Sequence, residues 1–394
     1  MSETNGSASS LASPAPPFSA EHQELRESVR RFVEKEIAPN VSEWEDQRQF
    51  PRELYRRCGE LGFLGLKFPE EYGGQGGTHL HDAVWVEELS RRGASGGVAA
   101  GLNAHASIAM PPVFKFGNEW QRQRWVVPGI QGEKIGALGI TEPGAGSDVA
   151  GIRTRAKRTD GGWVVNGSKT FITNGVTADF LVCAVKTTEE GGHGGISFLV
   201  IETNSPGYEV TSKLEKHGWH SSDTGEIAFT DVEVPEEHLL GEENDGFQLI
   251  MANFAWERLL MAIGAIGAMD RLIEISIDYA REREAFGRQI ANFQAIRHKI
   301  AEMATKTAAS RTLTWDTLRR LEEGEDVIRE VSMAKLFTQR TLVEIADEAV
   351  QIHGGYGYMK EYEVERALRD ARLGPIGGGT DEIMKEIIGK TYGL

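Results

Sequence analysis

The chain has 394 residues and a formal net charge of −16, from 59 Asp and Glu against 43 Lys and Arg. A chain of this length is expected to hold two or three domains around a substantial core. The acidic balance, without any Lys/Arg block, argues against nucleic acid or an anionic membrane as a partner. The longest apolar run, at residues 259–269, is too short to span a bilayer.

The cysteine content and residues 1–17 indicate the cellular compartment of the protein. Only two cysteines occur, Cys58 and Cys183, without a CxxC spacing, which excludes a disulfide framework or a cysteine-rich metal site. Residues 1–17 are rich in Ser, Ala and Pro and contain no Lys or Arg, so they lack the basic region of a secretory signal. We therefore expect residues 1–18 to be a disordered tail of a cytoplasmic protein, with no metal and no membrane insertion.

Residues 19–134 show a helical pattern and are predicted to form an N-terminal helical domain. Ser19 is a suitable N-cap, and Val29 and Phe32 belong to an apolar stripe at helical spacing. A second amphipathic segment begins at Pro51, a residue that is favoured in the first turn of a helix.

The pattern becomes strand-like over residues 135–243, where short β-branched and aromatic runs are divided by Gly-containing turns. Residues 244–394 return to long helices, with a nearly continuous helix at 246–287 and two more at 292–322 and 326–352. This order predicts an α+β fold in which an N-terminal helical domain and a C-terminal helical domain flank a middle β domain.

Two Gly/Ser/Thr-rich segments lie between residues 137 and 175. TEPGAGSD at 141–148 and FITNG at 171–175 each adjoin short β-like runs and offer backbone N–H groups and small hydroxyls. Such groups suit the polar edge and phosphates of a large planar cofactor. Each segment by itself is also compatible with an ordinary turn, but the order and spacing of the two together are specific.

Together with other motifs, these segments resemble the acyl-CoA dehydrogenase family. The further matching motifs are ER at 257–258, YAREREAFGRQI at 279–290, QIHGGYGY at 351–358 and GGGTDEI at 377–383. The resemblance covers nearly the whole chain from about residue 19. It implies bound FAD, an acyl-CoA substrate, electron-transfer flavoprotein as electron acceptor and, because FAD sites are shared between subunits, a homotetramer.

The resemblance also assigns roles to single residues. It implies that the backbone at 140–141 meets the flavin pyrimidine edge, and that residues at 283–294 and 351–355 grip the FAD of a neighbouring subunit. The implied cofactor-binding residues are Ile140, Thr141, Gly146, Ser147, Phe171, Thr173, Arg283, Phe286, Gln294, Gln351, Gly354, Gly355, Thr380 and Glu382. The implied substrate-binding residues are Ser147, Phe254, Arg258, Gly377 and Gly379.

Taken singly, several of these residues have simpler explanations. Arg283, Arg369 and Arg372 also fit a helix surface, where arginines pair with carboxylates at i,i+4. His353, beside two glycines, fits a hydrogen-bonded core histidine equally well, and Phe171 fits a core residue of a strand. The functional interpretation therefore depends on the whole set.

One position departs from the family pattern, in which the ending aromatic-Glu-Gly-Thr supplies the catalytic base. The corresponding residues here are Gly377, Gly378, Gly379 and Thr380, so that carboxylate is missing. In this respect the chain is similar to long-chain and isovaleryl-type members of the family. These have Gly at that place and a Glu before an Arg on another helix, which corresponds to Glu257 here.

The sequence around Glu257 is consistent with a base. Phe254, Leu260 and Met261 flank it at helical spacing and would remove water from its carboxylate. Lost solvation raises a carboxyl pKa toward the range that a base needs near neutral pH. A surface glutamate paired with a cation is the competing interpretation, and the glycine at position 378 favours the base.

The resemblance implies that Glu257 removes the α-proton of the thioester while the β-hydrogen passes to the flavin, which gives the trans-2-enoyl-CoA. The backbone N–H of Gly378 would stabilise the charge that develops on the thioester oxygen. The glycines at 377–379 leave space and predict a preference for long or bulky acyl chains. Three alternatives stay open: an acyl-CoA oxidase, a branched or cyclic acyl-CoA dehydrogenase, and a catalytically silent protein that binds flavin and acyl-CoA.

Overall fold

The computed structural model describes residues 18–93, 95–188 and 194–394. The tail predicted for residues 1–18 lies outside this range except for Phe18, whose ring packs edge-on against Trp315 with centroids 5.2 Å apart. The described chain runs through a helical part, a β-sheet and a second helical part. This order confirms the predicted α+β fold.

The N-terminal part consists of helices, as the sequence predicts. Its first helix, α1 (Ala20–Phe32), begins directly after Ser19, whose backbone N–H donates to His22 Nδ1 at 3.1 Å. Val29 and Phe32 of the apolar stripe are buried. The other α-helices are α2 (Val41–Gln47), α3 (Glu53–Glu60), α4 (His79–Arg91), α5 (Gly96–Asn103), α6 (Met110–Phe116), α7 (Glu119–Gln121) and α8 (Val127–Ile130). Single π-helical turns occur at Val33–Ile37, Ala104–Ala109 and Arg122–Val126.

The middle part is one mixed β-sheet. Its strands are β1 (Gly136–Gly139), β2 (Arg155–Thr159), β3 (Gly162–Thr173), β4 (Phe180–Lys186), β5 (Ile196–Glu202), β6 (Tyr208–Lys213), β7 (Thr224–Pro235) and β8 (Leu239–Leu240). The strand order is β6-β7-β3-β2-β4-β5-β8, and β1 pairs with β4. β1 and β2 run parallel to β4, whereas the other pairs are antiparallel. Side chains including Trp163, Leu181 and Phe229 form the core of the sheet.

The C-terminal part is built around the long helix α9 (Gly246–Glu282). α9 ends five residues before the predicted end at 287, because Arg283 leaves the helical conformation and Phe286 adopts a φ of 53°. These residues form a hairpin of β9 (Glu284–Ala285) and β10 (Arg288–Gln289). The remaining helices are α10 (Gln294–Glu322), α11 (Ile328–His353), α12 (Glu363–Ala371) and α13 (Asp381–Thr391). α9 packs against α4, α10 and α11.

The three parts are joined through α12. The carboxylate of Asp370 accepts the backbone N–H of Gly96 at 2.9 Å and that of Trp219 at 2.6 Å. Desolvation by burial is the main reason why the pKa of Asp370 rises to about 6. One carboxylate thereby links an N-terminal helix, a loop of the sheet and a C-terminal helix.

Three further findings concern the described residues as a whole. Cys58 and Cys183 are buried and unpaired. Among the described residues no group of three or more His, Cys, Asp or Glu is placed to hold a metal ion. None of the helices seen there combines the length and the apolarity that crossing a bilayer requires.

Candidate active site

The first predicted cofactor segment forms a turn with an open outer side. The backbone groups of Glu142 and Ala145 exchange two hydrogen bonds of 3.0 Å, which close the turn. Gly144, Gly146 and Ser147 are exposed, and a Cβ added at either glycine would meet no protein atom within 4 Å. The turn therefore presents a shelf, residues 144–147, that a ligand can approach closely.

The residues before this shelf are fixed from the protein side. Ile140 is buried and Thr141 is half-buried. The carbonyl of Ile140 accepts from Lys169 Nζ at 3.1 Å, and the carbonyl of Thr141 accepts the N–H of Thr170 at 2.9 Å. These bonds fasten the first segment to strand β3.

The second predicted segment continues β3 directly after these contacts. Phe171 has a φ of 59° and exposes 68% of its surface, and Thr173 is half-buried. A large apolar ring held outward in the left-handed region is strained, and such residues concentrate at ligand sites. The alternative in which Phe171 is a core residue of a strand is therefore wrong.

Glu257 lies on α9 with its carboxyl group enclosed. The residue keeps part of its surface exposed, but Oε2 is buried and has no hydrogen-bond partner among the described residues. Burial raises the pKa of Glu257 to about 7, against the opposing effect of the Arg258 guanidinium. Arg258 itself is buried, with its guanidinium 5.0 Å from the centre of the Phe254 ring. A surface glutamate paired with a cation does not fit this environment.

The glycine loop is held against the helix that carries Glu257. Arg258 Nε donates to the Gly378 carbonyl at 3.0 Å, and Lys335 Nζ donates to the Gly379 carbonyl at 2.6 Å. Gly378 and Gly379 have φ values of 64° and 96°. No backbone carbonyl in the described part of the chain accepts the N–H of Gly378. The loop is thus fixed through its carbonyls, and this N–H remains available to a ligand.

The vacancy expected at the glycine loop is only partly present. A Cβ added at Gly378 would lie 2.6 Å from Met261 Sδ, so the Met261 side chain already occupies this place. At Gly377 the nearest atom to an added Cβ belongs to Leu373, at 3.7 Å, which is ordinary contact. The expectation of open space is therefore wrong at Gly378, because Met261 reaches it from the helix turn after Glu257.

Other predicted cofactor residues form a second surface near the end of α9. A cavity of about 450 Å³ is lined there by residues that include Arg283, Gly354 and Gly355. Phe286, on the β9–β10 turn, is 95% exposed. The Arg283 guanidinium lies 5.5 Å from the centre of the Tyr356 ring, so the cavity offers a cation and an aromatic ring.

One chain does not bring this second surface to Glu257. Arg283 follows Glu257 by 26 positions, nearly all within α9, which corresponds to about 39 Å at 1.5 Å per residue. Gln294 and Gln351 are exposed on α10 and α11. Within one chain, a ligand that contacts both Arg283 and Glu257 would therefore have to span about 39 Å.

Thr380 and Glu382 lie at the beginning of α13. Thr380 Oγ1 accepts the N–H of Ile383 at 3.3 Å and caps the helix. Glu382 is exposed, and hydrogen bonds from its own backbone N–H and from Thr380 lower its pKa. Thr380 therefore has a structural role whether or not it also contacts a cofactor.

The simpler explanations hold for His353 and Arg369. His353 Nδ1 donates to the Ala349 carbonyl at 2.8 Å, and its ring stacks on Tyr279 at 4.2 Å. His353 is thus a hydrogen-bonded core histidine that also lines the cavity. Arg369 pairs with Glu365 one turn away, at 2.5 Å, and Arg372 is exposed.

Lys335 is a site residue that the sequence analysis missed. Its side chain is fully buried on α11, and burial lowers its pKa to about 8. The available signal was a single lysine in the mainly apolar stretch VSMAKLF at 331–337. Its position beside the glycine loop depends on the packing of α11 against the segment that precedes α13.

Comparisons with known families agree over three segments. The acyl-CoA dehydrogenase N-terminal domain matches residues 19–133, the middle domain matches 137–232 and the C-terminal domain matches 244–393. Together these models cover most of the chain.

Individual relatives and solved structures are also similar over nearly the whole chain. An acyl-CoA dehydrogenase of Bacillus subtilis (strain 168) is 42% identical over 93% of this chain and 96% of its own length. The mitochondrial long-chain specific acyl-CoA dehydrogenase of Mus musculus is 40% identical over 95% and 86%. The crystal structure of a probable acyl-CoA dehydrogenase from Mycobacterium abscessus superposes with a TM-score of 0.93 at 48% identity, covering 95% of this chain and 99% of that one. A structure described as the FAD complex of PigA superposes with a TM-score of 0.93 at 27% identity, covering 97% and 100%.

Proposed function

Because the chain belongs to the acyl-CoA dehydrogenase family, an FAD-dependent group that acts on the CH–CH bond of acyl-CoA, we propose that it converts a fatty acyl-CoA to the trans-2-enoyl-CoA with Glu257 as the base. The observation that carries this proposal is the enclosed carboxylate of Glu257. Its Oε2 has no hydrogen-bond partner among the described residues, and Arg258 and Met261 on the same helix contact the glycine loop that lacks the usual carboxylate.

The residues present fit FAD. The open shelf at Gly144 and Gly146 admits a close approach, and the exposed ring of Phe171 offers an apolar face beside it. When bound, FAD supplies the acceptor for the two electrons and the hydrogen that leave the β-carbon. The chain's own residues that would hold it are Ile140, Thr141, Gly146, Ser147, Phe171, Thr173, Thr380 and Glu382.

Glu257 is suited to taking the α-proton. Its carboxyl is desolvated, so the proton affinity is higher than that of an exposed glutamate, and its pKa near 7 allows a substantial ionised fraction at neutral pH. Arg258, next in sequence, is held by the Gly378 carbonyl, which keeps the helix face and the loop in register. The helix turn that carries the proposed base is therefore fixed to the loop through Arg258.

The loop at Gly378 completes the arrangement. Removing an α-proton leaves negative charge on the thioester oxygen, and a preorganised N–H donor stabilises that charge. The N–H of Gly378 is suited to this because its own carbonyl and that of Gly379 are already bound by Arg258 and Lys335. Phe254, Gly377 and Ser147 would contact the acyl-CoA.

The second surface supports an oligomer. Since Arg283 lies about 39 Å along α9 from Glu257, we propose that the residues Arg283, Phe286, Gln294, Gln351, Gly354 and Gly355 contact the FAD of a neighbouring copy. We propose that the assembly is a homotetramer, a dimer of dimers. Electron-transfer flavoprotein is the proposed acceptor of the electrons.

The proposed substrate is a long or bulky acyl chain. Gly377 has no side chain that would fill the pocket. The atom nearest to a Cβ added there belongs to Leu373, at 3.7 Å, so this part of the loop leaves room. Met261 fills the space beside Gly378, so the room for the acyl chain is smaller than if both Gly377 and Gly378 faced empty space. Each buried methylene is worth about 0.8 kcal/mol, roughly fourfold in kcat/KM while room remains.

Anaerobic mixing of the purified yellow protein with acyl-CoA thioesters tests the reaction and the substrate class together. We expect the visible flavin absorbance to disappear with long or branched acyl chains and to respond more weakly to the four-carbon chain. The product is identified as the trans-2-enoyl-CoA by mass and by its ultraviolet absorbance. A series from four to sixteen carbons, with branched and cyclic members, gives the order of preference.

The outcomes separate the alternatives. A protein that stays yellow with every thioester is a silent binder, and the proposal fails. Colour that returns at once in air, with hydrogen peroxide formed, indicates an oxidase instead. A sharp optimum at the four-carbon straight chain contradicts the proposed substrate class but leaves the reaction intact.

The pKa of Glu257 gives a pH prediction. The base acts in its ionised form, and with a pKa near 7 only about a tenth of the carboxyls are ionised one pH unit below it. The rate of flavin reduction at saturating substrate should therefore rise about tenfold per pH unit below pH 7 and level off above about pH 8. A stopped-flow profile checks this, and a rate that is constant from about pH 5.5 to 8 contradicts it.

A further inference from the structure

A buried ion pair lies directly behind the proposed flavin surface. Lys169 Nζ is 2.8 Å from Glu142 Oε1, with the lysine side chain fully enclosed and the glutamate side chain 6% exposed. Glu142 belongs to the turn that closes the shelf, and Lys169 lies two residues before Phe171. Each half of the proposed flavin surface therefore contributes one partner.

The pair is embedded in a complete hydrogen-bond network. Lys169 Nζ also donates to the Ile140 carbonyl at 3.1 Å. Glu142 Oε1 also accepts the N–H of Thr154 at 3.0 Å, and Oε2 accepts the N–H of Arg153 at 2.5 Å. Burial opposes ionisation of Glu142, but Lys169 and these N–H groups hold its pKa below the usual range.

The hydrogen bonds around the ion pair connect the turn at 140–147 with strand β3. The Thr170 N–H bonds to the Thr141 carbonyl at 2.9 Å, beside the ion pair. The pairing of β3 with β7 is irregular between Lys169 and Ile172, where the ladder alone does not fix the chain. The left-handed Phe171 lies inside this irregular stretch.

A buried ion pair of this kind is seldom retained for stability. Replacing such a pair with apolar residues of similar size is often neutral for folding, whereas removing one partner leaves an uncompensated buried charge. Fixing one arrangement out of several is a role that such a pair can fill. Here the two segments to be held in one arrangement are the turn at 140–147 and the irregular end of strand β3.

We infer that Glu142 and Lys169 are positioning residues that set the shelf and Phe171 at one fixed separation for the flavin. This inference rests on the proposed function. The pair touches no ligand itself and acts through the Ile140–Ser147 turn and through Phe171. Loss of either charge lets the two halves move apart, so FAD is bound more weakly although both sets of contact residues remain.

The test compares FAD retention and stability in the holoenzyme. Lys169→Met and Glu142→Gln each remove one charge, and Glu142→Gln/Lys169→Met removes both while keeping one of the two acceptor oxygens that the N–H groups of Arg153 and Thr154 use. Diluted holoenzyme releases FAD, whose fluorescence gives the dissociation constant. We expect each single variant to raise this constant at least about 100-fold. The melting temperature is measured with FAD in excess.

The double variant separates positioning from general stability. Because it leaves no uncompensated charge, it is expected to melt at a higher temperature than either single variant but to keep an FAD dissociation constant at least about tenfold above the wild type. A matched control is Arg26→Met, which breaks a buried pair with Glu87 and Glu88 between α1 and α4. This control should lower the melting temperature and leave FAD affinity unchanged.

Two results would overturn the inference. One is wild-type FAD affinity in both single variants, and the other is full recovery of affinity in the neutral double variant. Failure of the proposed function has a different signature, since the wild-type protein itself would then contain no FAD and would not take it up.

Discussion

Replacing Glu257 with glutamine is expected to slow flavin reduction by about 10²–10⁴-fold, because the enclosed carboxylate is the proposed base and an amide cannot take up the α-proton. The amide is nearly isosteric, so FAD content and acyl-CoA binding should stay close to those of the wild type. Single-turnover reduction by a saturating acyl-CoA, measured anaerobically in a stopped-flow instrument, gives the rate without interference from electron transfer to a partner.

A carboxylate on the same helix provides the control. Asp278 is exposed on α9, and Asp278→Asn removes one negative charge without touching the glycine loop. We expect this variant to reduce its flavin at the wild-type rate. Near-normal reduction in Glu257→Gln would show that the base lies elsewhere, and the rise in rate with pH would then need another group.

Replacing Gly378 with alanine is expected to lower kcat by about 10²-fold, because it displaces the loop that carries the proposed N–H donor. The added Cβ would lie 2.6 Å from Met261 Sδ, and a φ of 64° is unfavourable for alanine. Relief of this contact moves the Gly378 carbonyl away from Arg258. Displacements of about 1 Å near a reacting group commonly reduce rates by this amount.

Gly377→Ala is the matched comparison. Its added Cβ would meet Leu373 at 3.7 Å, and Gly377 has no positive φ, so the loop keeps its conformation. We expect a loss of only a few fold, largest with the bulkiest acyl chains. Equal losses in the two variants, measured as kcat and KM over the acyl-CoA series, would contradict the assigned role of the Gly378 N–H.

Much of the fold could be predicted from local patterns. The start of α1 after Ser19 and the long helices α10 and α11 follow from capping and from apolar periodicity, which depend on neighbours in sequence. The edge strand β6 is harder to predict, because its apolar–polar alternation is short and most of its residues are exposed. The end of α9 differs from the prediction because helix-favouring Arg and Glu residues continue at 281–284 into a hairpin in which Phe286 is left-handed.

The proposed base was also indicated locally. Phe254 and Met261 flank Glu257 on one helix, so the loss of solvation that raises its pKa follows from spacing along the chain. The glycine at 378 marked the missing carboxylate. The side chain that Gly378 faces could not be predicted from neighbouring residues. Met261 fills the space expected there, and it belongs to a helix more than a hundred residues earlier in the chain.

The sequence by itself therefore determined the family and the order of the helical and β parts, and it indicated the proposed cofactor segments and the glutamate proposed as base. Each of these depends on residue types at short, fixed spacings. Only the tertiary structure showed that Lys335 holds the Gly379 carbonyl, that Glu142 and Lys169 pair behind the proposed flavin surface, and that one continuous helix separates Glu257 from Arg283. The physical reason is that these contacts join segments that are distant in sequence, and their distances are set by how helices and strands pack against one another.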